Sequence, residues 1–434
     1  MSVHSLRAPN RRSPALGLVL GRIALAVGLG LGALPAHSAP LTLDDALRLA
    51  QERSRQLVAQ DAATSSARQM ALAAQQQPDP TVRASLDALP INGPDRFSIV
   101  RDNFTMRTIG ITQEWVRADK RSARAARFER EADAAQATRA MALANLQRDT
   151  ALAWLNRHYQ ERMRAVLTAQ RDETRLQAEA ADAAYRGGRG SQADVFAART
   201  AIALIEDGID QSDRQVLSAT TQLARWVGDA ATQPLAERPA TDAVGLSAGD
   251  LEARFEHHPE IAVMARKEDV ARSDVDLANA NKSADWTYSL TYAKRGPSYS
   301  DYVFFSVSIP LQWDQRNRQD RELAAKLATV EQLRAGREEA TRGHVADTVQ
   351  MLQEWQTDRR RLERFDTALL PLADERVRAA LAAYRGGSAP LTAVLEARRG
   401  ELDIRIDSLR LALETDRLWA QLKYLIPPGH DGGR

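Results

Sequence analysis

Hydrophobic and polar positions in this sequence follow two different periods, one typical of helices and one typical of strands. Large apolar side chains alternate with small polar ones from Trp286 to Ala293. After a Gly-Pro turn the alternation resumes at Val303 and continues to Trp313. This pattern predicts a hairpin of two strands, at about 285–294 and 302–313, with one apolar face and one largely polar face.

A weaker pair of strands is predicted in the first half of the chain, at about 81–89 and 104–115. Ile109 and Ile111 share one face of the second of these strands, and Gln113 interrupts that face. The chain therefore contributes four predicted strands, in two hairpin-like pairs.

The segments after each strand pair have a helical composition and unusual length. No Gly or Pro occurs from Val116 to Arg186, and about 70 helical residues at about 1.5 Å each would span about 105 Å. A second long helix is predicted from about Arg316 to Tyr384, with a bend near Pro371. Helices of this length extend well beyond the core of a globular domain.

The sequence is internally duplicated. The segment Ala183–Gly188 recurs almost unchanged 199 residues later as Ala382–Gly387, and each copy separates a long helix from a return helix. The duplication predicts a unit of helix, two strands, long helix and return helix that occurs twice. The predicted segments are a first repeat at 40–228, a linker at 229–248, a second repeat at 249–426 and a polar tail at 427–434, with tip turns at 185–191 and 384–390.

Similar N-terminal signals open the two repeats. Thr42–Asp45 predicts a capping box at the start of the first helix, and Ser247–Asp250 has the same pattern 205 residues later. Residues 1–39 before the first signal are typical of a secretory signal peptide, with a basic start, an apolar run and a small-residue cleavage site. We therefore expect export from the cytoplasm.

Charge and composition narrow the classes of function. The leader holds four Arg and no acid, so the remaining chain has 55 basic and 57 acidic residues and gives no reason to expect nucleic-acid binding. Cysteine is absent, so neither a disulfide, nor a thiolate metal site, nor a lipid-bearing Cys is expected. We predict no cofactor and no enzymatic activity, because no catalytic or phosphate-binding pattern is present. The His257-His258 pair lacks further ligands at helical or strand spacing, which favours solvated surface over a metal site.

Four strands of about ten residues have the length needed to cross a bilayer in a tilted barrel. They cannot close a barrel alone, and open edges in hydrocarbon would leave backbone groups without partners. Two copies would supply eight strands and three copies twelve. The polar face of the second hairpin favours a wet lumen, and hence a homotrimer with a 12-strand barrel. A soluble periplasmic coiled-coil scaffold with edge hairpins is the alternative.

Several motifs in combination resemble the TolC family of outer-membrane efflux proteins across nearly all of the sequence after the leader. The motifs that carry the resemblance are the two Tyr-x-x-Gly turns, the segments Asp194–Arg199 and Ala393–Arg398 that follow them, and the strand-to-helix junctions at Ile111–Trp115 with Lys120-Arg121 and at Ser308–Leu311 with Asp314–Asn317. The two junctions are similar to those of the heavy-metal (cobalt–zinc–cadmium/copper) branch.

The resemblance implies a mainly α protein with a transmembrane β-barrel, continued by an α-helical periplasmic tube. It implies a passive duct in the outer membrane, partnered by a periplasmic adaptor (membrane fusion protein) and an inner-membrane RND-type pump. Heavy-metal cations are the favoured substrates, and drug efflux or type I protein secretion by the same duct are the alternatives.

The resemblance also implies roles for particular residues. Those matching the family's periplasmic aperture are Asp194, Glu396, Tyr185, Tyr384 and Arg189. Asp194 and Glu396 have a structural alternative, because acids in a first helical turn are favoured by the helix dipole. The glycines expected to contact the adaptor at the tip turns are Gly187, Gly188, Gly386 and Gly387. The pattern of strand ends predicts that Trp115, Trp313 and Trp286 lie at the membrane interface.

Overall fold

The computed structural model describes residues 39–244 and 258–425. These ranges form a mainly helical fold with a single sheet of four antiparallel strands, which confirms the predicted composition of elements. In chain order the elements are α1 Leu43–Arg53, α2 Arg55–Ala74, β1 Thr81–Asp87, β2 Met106–Trp115, α3 Ala118–Arg186, α4 Gln192–Val227, a 3-10 turn Gly228–Thr232, α5 Pro259–Ala280, β3 Trp286–Lys294, β4 Tyr302–Ser308, α6 Gln319–Arg364, a π-helical turn Phe365–Leu369, α7 Leu370–Arg385 and α8 Leu391–Lys423.

Three of the predicted segments fall outside the described residues. These are residues 1–38 of the leader, the capping signal at Ser247–Asp250, and the tail at 427–434. None of the helices in the described ranges combines the length and apolarity that a membrane crossing requires.

The first helical segment is divided at Ser54. The capping residue Thr42 accepts a hydrogen bond from the backbone N–H of Asp45 at 3.0 Å, as its sequence pattern predicts. α1 then ends at Arg53, and the Ser54 hydroxyl accepts a bond from the N–H of Leu57 to start α2. The periodicity predicted one helix here, because a serine cap inside an apolar repeat does not interrupt the repeat.

The two long helices differ in continuity. α3 runs for 69 residues without a break. Its counterpart is divided into α6 and α7 by the π-helical turn Phe365–Leu369, which ends two residues before Pro371. Because proline lacks the N–H that a regular helix needs, an irregular turn at this position is expected.

The four strands follow chain order in the sheet, β1-β2-β3-β4, and all neighbours are antiparallel. Central pairing joins the two repeats, since β2 of the first lies beside β3 of the second with Trp115 opposite Trp286. β4 ends at Ser308, although the alternation of its sequence continues to Trp313. Within the described residues, β1 and β4 each have one strand neighbour only, so both edges of the sheet are open.

The main core lies where the two repeats pack together, away from the sheet. Trp154 of α3 and Trp419 of α8 are fully buried there, with Leu155, Leu223 and Leu422 around them. The Trp154 indole N–H donates to the Leu41 carbonyl at 3.1 Å. This core holds the linker and the N-terminal segment against the long helices.

Candidate functional site at the sheet face and the helix turns

One face of the sheet carries a row of apolar side chains that crosses all four strands. The register places Val82, Ile111, Leu290 and Phe305 side by side. Their exposures are 68%, 46%, 50% and 69%, so no other part of the described chain covers them. A second row, two residues along, contains Ala84, Ile109, Tyr292 and Val303 in register. A continuous exposed apolar face of this kind marks a surface that contacts lipid or another protein.

The opposite face of the sheet is mainly polar. Ser85 and Thr108 lie with their hydroxyl oxygens 2.6 Å apart across β1 and β2, and Ser289 and Ser306 have the same separation across β3 and β4. Hydroxyl pairs of this kind satisfy one another without a core above them. The sheet therefore has one apolar face and one mainly polar face, as the period-2 alternation of the strands predicts.

The two helix turns share one backbone geometry. In the first, the N–H groups of Gly187, Gly188 and Arg189 donate to the carbonyls of the preceding turn at 2.9–3.0 Å. Gly386, Gly387 and Ser388 repeat the pattern at the same distances. Gly188 and Gly387 have φ of +69° and +73°, a conformation that residues with a Cβ adopt at a cost. These two glycines are required by the turn itself.

The turns bring four helices together. A small apolar cluster at this end contains Ala181 of α3, Val195 and Ala198 of α4, and Leu391 and Val394 of α8. Tyr384 of α7 packs against this cluster, whereas Tyr185 is 45% exposed. The two turn tyrosines are therefore in different environments despite their equivalent positions.

The aperture residues predicted from the sequence lie near the same end but are not hydrogen-bonded to one another. Asp194 forms a capping box with Ser191, whose hydroxyl donates to the Asp194 carboxylate at 2.7 Å. Glu396 is exposed on α8 and Arg189 on the turn, and neither side chain has an ion-pair partner among the described residues. The structure thus gives Asp194 a helix-capping contact, and leaves Glu396 and Arg189 available to other surfaces.

Solved structures with the same fold are outer-membrane channels. The OprN channel matches with a TM-score of 0.73 and 16% identity, over 89% of this chain and 90% of that one. The VceC outer membrane protein of Vibrio cholerae matches at 0.71 and 19%, over 88% and 95%. The CmeC channel of Campylobacter jejuni matches at 0.72 and 12%, over 96% and 95%. No family model and no curated protein matches the sequence.

The chain thus shares its fold with these outer-membrane channels, as its resemblance to the TolC family predicts. At these identities the comparison concerns the fold, and the chain covers nearly the full length of each channel. The apolar rows of the sheet and the paired helix turns are thus found in a chain whose structural neighbours are membrane channels.

Sequence reasoning did not find the ion pairs that join the helices next to the turns. Glu401 is 2% exposed and lies between Arg398 and Arg405, at 3.2 and 2.5 Å. Arg398 also reaches Glu173 on α3 at 2.6 Å. The same helices, with α4, border a cavity of about 600 Å³ into which Glu396 faces. A buried acid with two arginines on its own helix is visible in the sequence only as ordinary i, i+3 and i, i+4 spacing.

A second buried network ties the linker to the helices. The Asp416 carboxylate accepts bonds from the Tyr159 hydroxyl at 2.7 Å, from Thr241 at 2.8 Å and from Arg238 at 3.0 Å. Burial and the adjacent carboxylate raise the pKa of Tyr159 well above its usual range. Beside it, burial lowers the pKa of His158 to about 4. All of these groups lie outside the strands, in the helices or in the linker.

The His257-His258 prediction needs a correction. His257 lies outside the described residues, but His258 is buried and its ring centroid is 4.6 Å from that of His344. Burial lowers the pKa of His258 to about 4. His344 pairs with Glu260 at 3.1 Å. Within the described ranges no group of three or more His, Cys, Asp or Glu side chains is placed to hold a metal ion.

Proposed function

We propose that this chain is the outer-membrane channel of a tripartite efflux system, a passive homotrimeric duct that conducts substrates from a pump and adaptor to the exterior. The observation that carries the proposal is the exposed apolar row across all four strands, on a sheet with two open edges. The fold shared with outer-membrane channels supports it.

The membrane argument follows from the cost of exposure. In an isolated chain one apolar row of the sheet would face water: Val82, Ile111, Leu290 and Phe305. An exposed apolar face of this width marks a surface that contacts lipid or another protein. In a bilayer the same face contacts acyl chains, and the open edges must then be paired because unpaired backbone groups in hydrocarbon cost several kcal/mol each. Three copies would supply twelve strands. A soluble coiled-coil scaffold leaves the apolar face unexplained.

Adjacent residues on β4 provide a matched test of the membrane assignment. Phe305 belongs to the apolar row and Ser306 to the opposite face, and both are exposed in the single chain. We expect Phe305→Lys to destabilise insertion by about 2–4 kcal/mol, as lysine does at a lipid-facing barrel position. Ser306→Lys should be tolerated, because it would face the lumen. The measurement is the heat-modifiable mobility of the trimer on unboiled gels, after membrane fractionation.

A soluble scaffold would give a different result from the same pair of variants. It would stay in the soluble periplasmic fraction, and the two lysines would have equal and small effects on its stability. Either outcome would contradict the proposed duct.

We propose that the helix turns form the periplasmic mouth. Asp194 and Glu396, with Tyr185, Tyr384 and Arg189 beside them, would form the aperture, and three copies of each acid would attract cations. The glycines of the turns would allow close approach of the adaptor: Gly187, Gly188, Gly386 and Gly387. The tryptophans at the helical end of the sheet would lie at the periplasmic surface of the outer membrane, where hydrocarbon meets water: Trp115, Trp286 and Trp313.

The aperture is tested by single-channel recording in planar bilayers. Asp194→Ala combined with Glu396→Ala should raise conductance or lower cation preference. Glu375→Ala is a suitable control, because this exposed acid precedes Tyr384 by nine residues, or about 14 Å of helix. Equal currents in wild type and the double variant would remove these acids from the constriction.

The inner-membrane partner is proposed to be an RND-type pump, and the substrates heavy-metal cations, because the strand-to-helix junctions resemble that branch. Drug efflux and type I protein secretion through the same duct are the competing assignments. A deletion strain challenged with zinc, cobalt, cadmium, copper and a panel of drugs separates them. Sensitivity to drugs alone would reject the metal assignment and retain the duct.

A further inference from the structure

The junction between the two repeats is held by a ladder and an ion pair. Trp115 of β2 lies opposite Trp286 of β3. Just beyond the ladder, the buried Lys120 amine contacts the Asp285 carboxylate at 2.6 Å and the Ser283 carbonyl at 3.2 Å. This junction is the only repeat-to-repeat strand contact among the described residues.

The end of β2 depends on the second repeat. β1 pairs with β2 only as far as Thr112, so Gln113–Trp115 are paired by β3 alone. Without a strand from the other repeat, these last residues of β2 would have no ladder partner.

The end of β4 lacks the equivalent support. Ladder contacts with β3 stop at Ser308, and Ile309–Trp313 continue without a strand neighbour. Trp313 is 88% exposed, compared with 56% for its repeat counterpart Trp115. The alternation of the sequence nevertheless runs to Trp313. We infer that this segment becomes strand only when a second copy of the chain is present.

We propose that β4 of one copy pairs with β1 of the next in the register of the internal β2–β3 junction, which places Ile309 opposite Leu86 and Trp313 opposite Val82 of the neighbour. This inference rests on the proposed oligomeric duct and specifies how its copies join. It follows from the duplication. Ile111 and Trp115 of β2 match Ile309 and Trp313, 198 residues later, and Ser85-Leu86 of β1 matches Ser289-Leu290 of β3, 204 residues later. Ile111 and Leu290 are partners within the chain, so their counterparts Ile309 and Leu86 should be partners between copies.

The proposed register agrees with the faces of the strands. Ile309, Leu311 and Trp313 continue the apolar face of β4, and they meet Val82, Ala84 and Leu86 on the apolar face of β1. A shift by one residue would place these side chains on opposite faces. A shift by two would keep the faces and change the partners, so experiment has to exclude it.

Charge supports the same register. Arg318 is the repeat counterpart of Lys120, and Asp79–Thr81 is the counterpart of Ser283–Asp285, the segment that Lys120 contacts. Asp79 is the only ionisable side chain in that segment. Both Arg318 and Asp79 are exposed and lack an ion-pair partner among the described residues. Thr81 stands at the position of Asp285 and Asp79 at that of Ser283, so Asp79 is the one acid of this segment that the proposed register brings close to Arg318 of the neighbouring copy.

Engineered disulfides test the register cleanly, because the chain contains no cysteine. The test variant is Ile309→Cys with Leu86→Cys in one chain, and the shifted control is Ile309→Cys with Ala84→Cys. Directly opposite positions on antiparallel strands are close enough for a disulfide, and diagonal positions about 7–8 Å apart are too far. Ile111→Cys with Leu290→Cys reports on the same pair geometry inside one chain.

After mild oxidation in membranes, the test variant should form covalent trimers on boiled, non-reducing gels, several-fold more than the shifted control. The Ile111/Leu290 control should form an intrachain bond with no increase in mass. If covalent trimers formed only in the shifted control, or in neither variant, the proposed register would be wrong and the duct would still stand. If light scattering showed the wild-type protein to be a monomer in detergent, both the register and the duct would be overturned.

A charge exchange provides a second, independent measurement. Arg318→Asp and Asp79→Arg should each lower the temperature at which the trimer dissociates, and the double exchange should restore it. Lys120→Asp serves as the comparison, since its partner lies in the same chain and Asp79→Arg should not rescue it. Absence of rescue in the double exchange would refute the Arg318–Asp79 contact.

Discussion

Asp416 provides the sharpest test of how the helices and linker are held together. Its side chain is 1% exposed and accepts bonds from Tyr159, Thr241 and Arg238. Asp416→Ala would remove one buried charge and leave three donors without their acceptor. Breaking a buried ion pair from one side costs about 3–5 kcal/mol.

The structure places the expected loss toward the lower end of that range. Arg238 is 39% exposed, so its guanidinium can return to water when the carboxylate is removed. Tyr159 is 3% exposed, and its hydroxyl would keep a desolvation penalty of about 1–3 kcal/mol. We therefore expect Asp416→Ala to destabilise the chain by about 3 kcal/mol. Tyr159→Phe should restore part of this loss, since it removes the unpaired hydroxyl.

The assay is thermal unfolding of the detergent-solubilised protein at a fixed protein concentration, because the melting temperature of the proposed oligomer would depend on concentration. Asp374→Ala is the matched control: Asp374 pairs with Arg378 at 2.9 Å on an exposed helix face. Exposed pairs of this spacing contribute about 0.3–0.5 kcal/mol. If Asp416→Ala cost no more than Asp374→Ala, the reasoning that burial makes this network structural would be wrong.

Three further outcomes are expected. Burial lowers the pKa of His158 to about 4, against 6.5 for the free side chain. Protonation therefore favours the unfolded state, and the free energy of unfolding should fall from pH 6.5 to pH 4 by at most about 3 kcal/mol. When the melting temperature is measured against pH, His158→Phe should lose less of it on acidification than the wild type. Gly188→Ala should cost about 1–2 kcal/mol because its φ is positive, as differential calorimetry can show. Gly336→Ala, in open space on α6, should instead stabilise by about 0.5–1 kcal/mol, and a loss there would mean that a neighbouring copy packs on that face.

The sequence predicted those elements whose signal is local. The apolar–polar alternation over β3 and the run without Gly or Pro in α3 each extend over many residues, so a strand and a helix are predicted there without ambiguity. The two glycine turns were also evident, because they repeat within the chain. A composition of four antiparallel strands among long helices is confirmed by the structure.

Features that depend on tertiary contacts could not be predicted in the same way. The division of the first helix at Ser54 is produced by a single hydroxyl contact. Burial of His258 depends on the helix that carries His344, 86 positions away in sequence. In the sequence Glu401 and Asp416 look like ordinary exposed acids. Asp416 becomes structural through partners on other segments, and Glu401 through its burial beside Arg398, which also pairs with Glu173 of α3.

The unequal continuity of the two long helices has a mechanical consequence. α3 is a continuous helix of 69 residues, so it should resist bending along its whole length. The corresponding long helix of the second repeat is weaker at Phe365–Leu369, where the regular α-helical hydrogen bonds are replaced by those of a π-helical turn. We therefore expect the flexibility of the chain to be concentrated in α7 and the turn that follows it. If the end of the chain with the helix turns widens, we expect the helices of the second repeat to move and α3 of the first repeat to keep its position.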